Sequence, residues 1–429
     1  MDVTAADKQD RPRGGSWSRR GVLSGLLGAP VLLVAACSGG GGKSGGSGAS
    51  GAAGSAPAEG GASSSASTSP KASVAQITVK PADGTTAAPF TEPVTVTVLN
   101  GTLTSVTVTD GTGKAIAGRL AADKASWTST AKLSSGSRYT VAASAVDGDQ
   151  RPADANASFS TASPANTFVG YFTPEDGTTV GVGMPVSINF NKAITDRKAV
   201  QQAITVVADP PVEIVGHWFD STRLDFRPQD YWAKGTRVTL KLRLKDVAGA
   251  KGVYGTQSKD VTFTVGRSQV STADLTADTL TVRTDGQVTA TYPVIGGAPE
   301  HRTWGGKLVI SEKYQQTRMN SSTVGLGSEY DIPDVPHAQR LTTSGTFIHG
   351  NYWSPASQFG SANTSHGCIA LQDVQGGNDP STDAAKFYAS SMVGDVVEVV
   401  NSGDRTVSPA NGLNGWNMTW ADWVAGSAV

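Results

Sequence analysis

Pro93-Val94-Thr95-Val96-Thr97-Val98 and, 92 residues later, Pro185-Val186-Ser187-Ile188-Asn189-Phe190 carry one pattern: a proline, then strict alternation of apolar and polar side chains. A period of two is the mark of a half-buried strand, since successive side chains leave the backbone on opposite faces. A second pair repeats at nearly the same spacing. Gly136-Ser137-Arg138-Tyr139-Thr140-Val141 is echoed 99 residues on by Gly235-Thr236-Arg237-Val238-Thr239-Leu240. Two matches at one spacing predict a duplicated β-sandwich of about 95 residues per copy.

Working outward, the copies are expected over 76–163 and 164–267. Their size is immunoglobulin-like, and no Cys…Trp…Cys core is available to them. Neither carries a convergent polar cluster. His217 and Trp218 stand out there and read as a packed or surface pair. Past Arg267 the texture changes. Leu280 to Thr284 and Gln287 to Tyr292 flank Asp285-Gly286, a hairpin signal. Residues 381–392 are the most helix-like stretch of this part and lead into a strand, Asp395 to Val400. The fold class expected is mainly β, with a third domain over 268–402 and a tail over 403–429. In that tail Trp416, Trp420 and Trp423 fall at helical spacing, and they are expected to lock it onto the third domain.

The composition narrows function. Of 429 residues, 35 are Lys or Arg and 36 Asp or Glu, so net charge is −1. Bulk charge therefore gives no reason to bind nucleic acid. With 51 glycines and 17% charged residues the chain is poorly suited to long helices. Its two cysteines, Cys37 and Cys368, exclude a disulfide-dense scaffold and a four-cysteine zinc site.

The N-terminus reads as an address. Four arginines (Arg11, Arg13, Arg19, Arg20) precede an uncharged run, Gly21 to Ala36. That run is shorter than the ~20 residues a spanning helix needs, which favours a signal peptide over 1–36. Val34-Ala35-Ala36-Cys37 resembles a bacterial lipobox, which implies lipidation at Cys37 and anchoring on the outer face of the cytoplasmic membrane. Ser18-Arg19-Arg20-Gly21-Val22-Leu23 also resembles a twin-arginine export signal. From Ser38 to Ala75, 31 of 38 residues are Gly, Ser or Ala. Such a segment behaves as a tether with an r.m.s. span of roughly 30–40 Å.

The chemistry lies between His349 and Cys368. Gly345-Thr346-Phe347-Ile348-His349-Gly350 ends an apolar strand in a histidine. Nineteen residues after it comes the cysteine of Ser365-His366-Gly367-Cys368-Ile369-Ala370-Leu371. A thiol is a nucleophile as its thiolate, and a nearby imidazole can take and return the proton. Gly367 allows close backbone approach, and consecutive amides in a tight turn can hold an oxyanion.

These residues resemble the L,D-transpeptidase (YkuD) family, whose signature is a His followed by Ser-His-Gly-Cys. The resemblance covers about 268–402. With the tether, the paired modules and the Trp-rich tail it extends to the actinobacterial members over most of the chain. It implies a β-sandwich domain with Cys368 as nucleophile and His349 as proton donor and acceptor. The Gly350 carbonyl would orient His349, and the amides of Gly367 and Cys368 would hold the oxyanion. Met319, at the head of Met319-Asn320-Ser321-Ser322-Thr323, and Tyr330, Ser344 and Gly345 match positions that contact a peptidoglycan stem peptide; Trp353 is expected to line the cleft. Two positions depart from the family pattern. The usual Thr-Pro-x-Gly turn is Thr303-Trp304-Gly305-Gly306, and the Asn or Arg often two after the cysteine is Ala370.

His366 is open between a structural loop histidine and a group that tunes the thiol. The implied reaction takes a tetrapeptide donor and the side-chain amine of a diamino acid as acceptor, makes a 3→3 cross-link and needs no cofactor. Water as acceptor would make the same residues an L,D-carboxypeptidase. A non-catalytic wall-binding lipoprotein is a further alternative, which the intact His349/Cys368 set disfavours. Zinc on His349, His366 and Cys368 is the rival chemistry, against which the full motif and the lipobox speak.

Overall fold

The computed structural model describes residues 71–429 apart from Leu326. The signal peptide, Cys37 and nearly all of the tether lie outside the described residues. No helix among the described residues is long and apolar enough to cross a membrane.

The duplicated pattern corresponds to a duplicated topology. In the first module Gln76–Lys80, Thr95–Leu99, Ser126–Ser129 and Gly118–Leu120 form one sheet in that order, and Thr102–Asp110, Arg138–Val146 and Pro152–Ser160 form the other. The second module repeats the order with Gly170–Thr173, Val186–Phe190, Arg223–Arg227 and Val215–Trp218. Its facing sheet runs Ile204–Asp209, Arg237–Arg243, Ser258–Val265 and Thr179–Val180. The two proline-led strands hold equivalent central places. Val94, Val96 and Val98 enter one core, Val186, Ile188 and Phe190 the other.

The third domain is built on nine strands: β1 (Gln269–Asp274), β2 (Thr279–Thr284), β3 (Gln287–Ile295), β4 (Gly306–Val309), β5 (Glu312–Asn320), β6 (Asp331–Arg340), β7 (Phe347–Asn351), β8 (Ile369–Gln372) and β9 (Val396–Val400). They join in the order β4-β9-β1-β2-β3-β8-β7-β6-β5 in one curled sheet. Asp285 and Gly286 both take positive φ, +51° and +83°, the twist that a two-residue hairpin between β2 and β3 requires. Leu280, Val294, Ile348, Ile369, Leu371 and Val397 supply the core. Helix α1 (Asp383–Ser390) covers it with Phe387 and is capped by Thr382 Oγ1, which accepts from the Ala385 amide at 3.3 Å.

The β5–β6 hairpin is the largest element not read from the sequence. Its two strands are largely polar on their outer side, and β5 forms the sheet edge, so the alternation that marks the inner strands is missing.

The Trp-bearing end of the tail departs from expectation in its docking partner. It holds a short helix, α2 (Trp420–Ala425), but its indoles face the second module rather than the third domain. The Arg227 guanidinium lies 4.6, 5.5 and 4.3 Å from the ring centres of Trp416, Trp420 and Trp423. Trp423 stacks on His217 at 4.8 Å and its indole N–H donates to the Val215 carbonyl at 2.9 Å. A buried arginine needs π faces and carbonyls around it, and the second module supplies that cation. The rest of the tail packs on the third domain: Val407 lies in its core, Val407 N donates to Gly305 O at 2.9 Å, and Asn414 Oδ1 accepts from Val309 N and Asn417 Oδ1 from Lys307 N, both at 2.8 Å.

Second module and third domain also interlock directly. Gly181 N donates to Val393 O and Gly183 N to Gly394 O, each at 2.8 Å, and a Cβ at Gly181 would lie 2.2 Å from Asp395 N. Arg267, the junction residue, pairs with the buried Asp395 at 2.9 Å.

Candidate active site

Strands β7 and β8 run parallel side by side, with Ile348 opposite Ile369 and His349 opposite Ala370. The pleat sends Ile348, Ile369 and Leu371 into the core. Phe347, His349 and Cys368 therefore fall on the other face, where Cys368 packs beside Phe347 and Ala338. Nineteen residues of sequence separation become two neighbouring strands.

The thiol is 9% exposed. Its Sγ accepts from Phe347 N at 3.4 Å and faces the Gly345 carbonyl at 3.7 Å. Burial pushes the Cys368 thiol up to about 11, with the Phe347 amide pulling the other way. Burial also holds His349 below the usual imidazole range, against the opposing pull of the Gly350 carbonyl and Asp373. Both effects favour the neutral pair at rest. His349 Nδ1 lies 2.9 Å from Gly350 O. A carbonyl only accepts, so Nδ1 carries the proton and Nε2 is left as a base.

The catalytic loop is held from within. Ser365 Oγ donates to Cys368 O at 2.6 Å and accepts from Gly367 N at 3.2 Å, and Gly367 sits at φ +104°. That φ is one that glycine adopts freely. The Gly367 amide is thus turned to Ser365, which leaves the Cys368 amide as the better candidate oxyanion donor.

Two cavities open at this place. One of about 250 Å³ is lined by Cys368, His349, Trp353, Tyr330, Met319 and Asn351, among others. Trp353 stacks on His349 there, ring centres 5.8 Å apart. A second of about 310 Å³ is lined by Ser344, Gly345, Tyr330, His366, Gly367 and His301, among others. Tyr330 belongs to both, and its hydroxyl is raised to about 12 by burial first and by Cys368 and Glu329 next. It ends the segment 321–330, whose Val324 sits so close that a Cβ on Gly345 would lie 2.3 Å from Val324 Cγ1.

Over residues 268–399 the chain matches the family model for the L,D-transpeptidase catalytic domain, and over 85–248 that for a bacterial Ig domain, which spans both sandwich modules. It is 35% identical over 360 residues to L,D-transpeptidase 2 of Mycobacterium tuberculosis, covering 83% of this chain and 85% of that one. The chain belongs to the L,D-transpeptidase family. L,D-transpeptidase 5 of the same organism is 32% identical over 361 residues, covering 82% and 77% of the two chains. A solved structure of LD transpeptidase LdtMt1 in complex with imipenem is 30% identical, covers 55% of this chain and 100% of that one, and has a TM-score of 0.46.

Ala370, where the sequence departs from the family pattern, is buried against Ile295 and Phe359 and offers no hydrogen bond. Behind His349 lies instead a buried pair that sequence reasoning missed. His337 Nδ1 is 2.7 Å from Asp373 Oδ2, and Asp373 Oδ1 accepts from Thr382 Oγ1 at 3.0 Å. Asp373 packs directly under Gly350, where a Cβ would lie 2.0 Å from its Oδ2. Neither residue belongs to a recognisable motif, and 36 residues separate them.

His366 is exposed and lines the smaller cavity with Cys368, but no hydrogen bond among the described residues joins it to the thiol; it faces Glu329 at 3.3 Å and lies tilted against Tyr330, ring centres 5.0 Å apart. The zinc trio of His349, His366 and Cys368 does not converge either. Among the described residues, the one group of His, Cys, Asp or Glu whose ligand atoms lie within 4.8 Å of one another is His301, Glu329 and His366.

Proposed function

We propose that this chain is a peptidoglycan L,D-transpeptidase that forms 3→3 cross-links through a thioester on Cys368. The observation that carries the reading is a thiol and an imidazole on one cavity, with the imidazole Nδ1 tied to the Gly350 carbonyl. His349 Nε2 takes the Cys368 proton as sulfur attacks the carbonyl between the diamino acid at stem position 3 and the terminal D-alanine. The Cys368 amide stabilises the oxyanion. The C–N bond then breaks, and protonated His349 returns its proton to the departing D-alanine amine. In the second half an acceptor amine attacks the thioester, His349 removes its proton, and the thiol re-forms. Because both partners are neutral at rest, proton transfer accompanies attack rather than preceding it.

Of the expected stem contacts, Ser344 and Gly345 line the larger cavity, Met319 the smaller and Tyr330 both, which supports a donor seated on the larger side and reaching toward Met319. The acceptor is then left the Trp353 side of the smaller cavity, next to His349. Anchoring through Cys37 would hold the chain on the outer face of the membrane, with the two sandwich modules as spacers over about 76–163 and 164–267.

Incubation with a disaccharide-tetrapeptide tests the reading by mass. The expected products are a cross-linked dimer and free D-alanine, with an acyl-enzyme adduct that disappears in Cys368→Ala. Tripeptide alone would make the chain an L,D-carboxypeptidase, and no covalent adduct on folded protein would overturn the thiol mechanism.

A further inference from the structure

We propose that His301, His366 and Glu329 form a site for a borderline-soft divalent cation of the Zn²⁺ class, and that its occupancy clamps segment 321–330 over the larger cavity. The three side chains come from separate parts of the chain: the loop before β4, the loop of the nucleophile and the β5–β6 connection. They meet with their ligand atoms within 4.8 Å of one another. Glu329 Oε2 lies 3.4 Å from His301 Nε2 and 3.3 Å from His366 Nε2. Both distances exceed the about 2.7–3.2 Å of an N–H···O hydrogen bond. They match the spacing of neighbouring ligands around a tetrahedral cation, about 3.3–3.4 Å when the bonds are about 2.0–2.1 Å. The two imidazoles lie with ring centres 5.0 Å apart, at the mouth of the same cavity. Two imidazoles and one carboxylate are the donors that favour zinc over magnesium or calcium, with water completing the shell.

Position gives the site its consequence. His366 is two residues before Cys368, Glu329 precedes Tyr330, and the side chains of His366 and Tyr330 each line both cavities. A cation joining Glu329 to the two histidines ties the segment to the catalytic loop across the side assigned to the donor. The blocking effect rests on the function proposed above; the binding does not.

The test is calorimetric titration of full-length Cys368→Ala protein, which lacks the catalytic thiol, with Zn²⁺ and separately with Mg²⁺. The expected result is a Zn²⁺ site that His301→Ala and Glu329→Gln each weaken roughly 10–100-fold or more, and no comparable Mg²⁺ binding. Absence of Zn²⁺ binding, equal binding in both variants, or equal affinity for Mg²⁺ would overturn the site. The clamp is read from carbapenem acylation of protein with Cys368 intact. Zn²⁺ should slow it in the native chain and leave it unchanged in Glu329→Gln, which acylates at the native rate without metal. Equal slowing in both would mean that Zn²⁺ acts elsewhere and would overturn the clamp. Failure of the native chain to acylate without metal would count against the transpeptidase reading and leave the titration standing.

Discussion

Alkylation of Cys368 by iodoacetamide should be slow at neutral pH and should climb without a plateau. In Cys37→Ser protein Cys368 is the remaining cysteine, so all labelling reports on the site. With its thiol pushed up to about 11 by burial, the thiolate fraction at pH 7 is about 10⁻⁴, against about 3% for an unperturbed thiol near 8.5, a ratio of roughly 300. A more basic thiolate is also the better nucleophile, and a Brønsted slope of about 0.4–0.5 over that difference returns roughly tenfold. The net expectation is a rate roughly 20–30-fold below free cysteine, before any loss from a sulfur that is only 9% exposed. The rate should rise about tenfold per pH unit from 7 to 10, because the proton being lost is the thiol's own. His349→Ala should change this rate by less than about threefold, since a neutral imidazole does not stabilise the thiolate. The same substitution should slow carbapenem acylation on the order of 10²–10⁴-fold, where the imidazole must take the proton during attack. The assay is the second-order labelling rate by mass spectrometry between pH 6 and 10. A plateau below pH 8, abolished in His349→Ala, would refute the argument, because it requires a thiolate–imidazolium pair already formed at rest.

Gly350→Ser should lower stability by about 1–3 kcal/mol through overpacking against Asp373, and Asp373→Ala in the same chain should recover part of it; thermal denaturation of the single and double variants checks this. Arg227→Leu should cost about 2–4 kcal/mol as three indoles lose their cation, with residues 403–429 becoming the first site of limited proteolysis. Asp395 is pushed up to about 6, with burial the leading cause and Arg267 opposing it. Between roughly pH 4 and 6 the folded chain therefore keeps a proton that the unfolded chain releases, and stability falls by about 3 kcal/mol as pH rises through that window. Asp395→Asn should flatten this part of the profile, as measured by urea denaturation across pH 4–7.

What the sequence determined by itself was whatever repeats locally or depends on contiguous residues. The Pro93 and Pro185 strands could be read because one face of each is a core and the other is not. Asp285-Gly286 could be read because a two-residue hairpin needs positive φ at both places. Ser365 to Cys368 could be read because the loop that presents the thiol is built from consecutive residues. Tertiary structure decided what depends on pleat parity and on pairing between distant segments. It placed His349 and Cys368 on one face of adjacent parallel strands, buried them enough to keep both neutral, and set Asp373 under Gly350 with His337 behind it. It brought Arg227 to the three tail indoles, and so docked the Trp-bearing end of the tail on the second module, although nothing near Trp416 to Trp423 in sequence names a cation. It gathered His301, Glu329 and His366 at one cavity mouth from three loops. Burial and through-space charge are sums over residues far apart in the chain, so no local pattern encodes them.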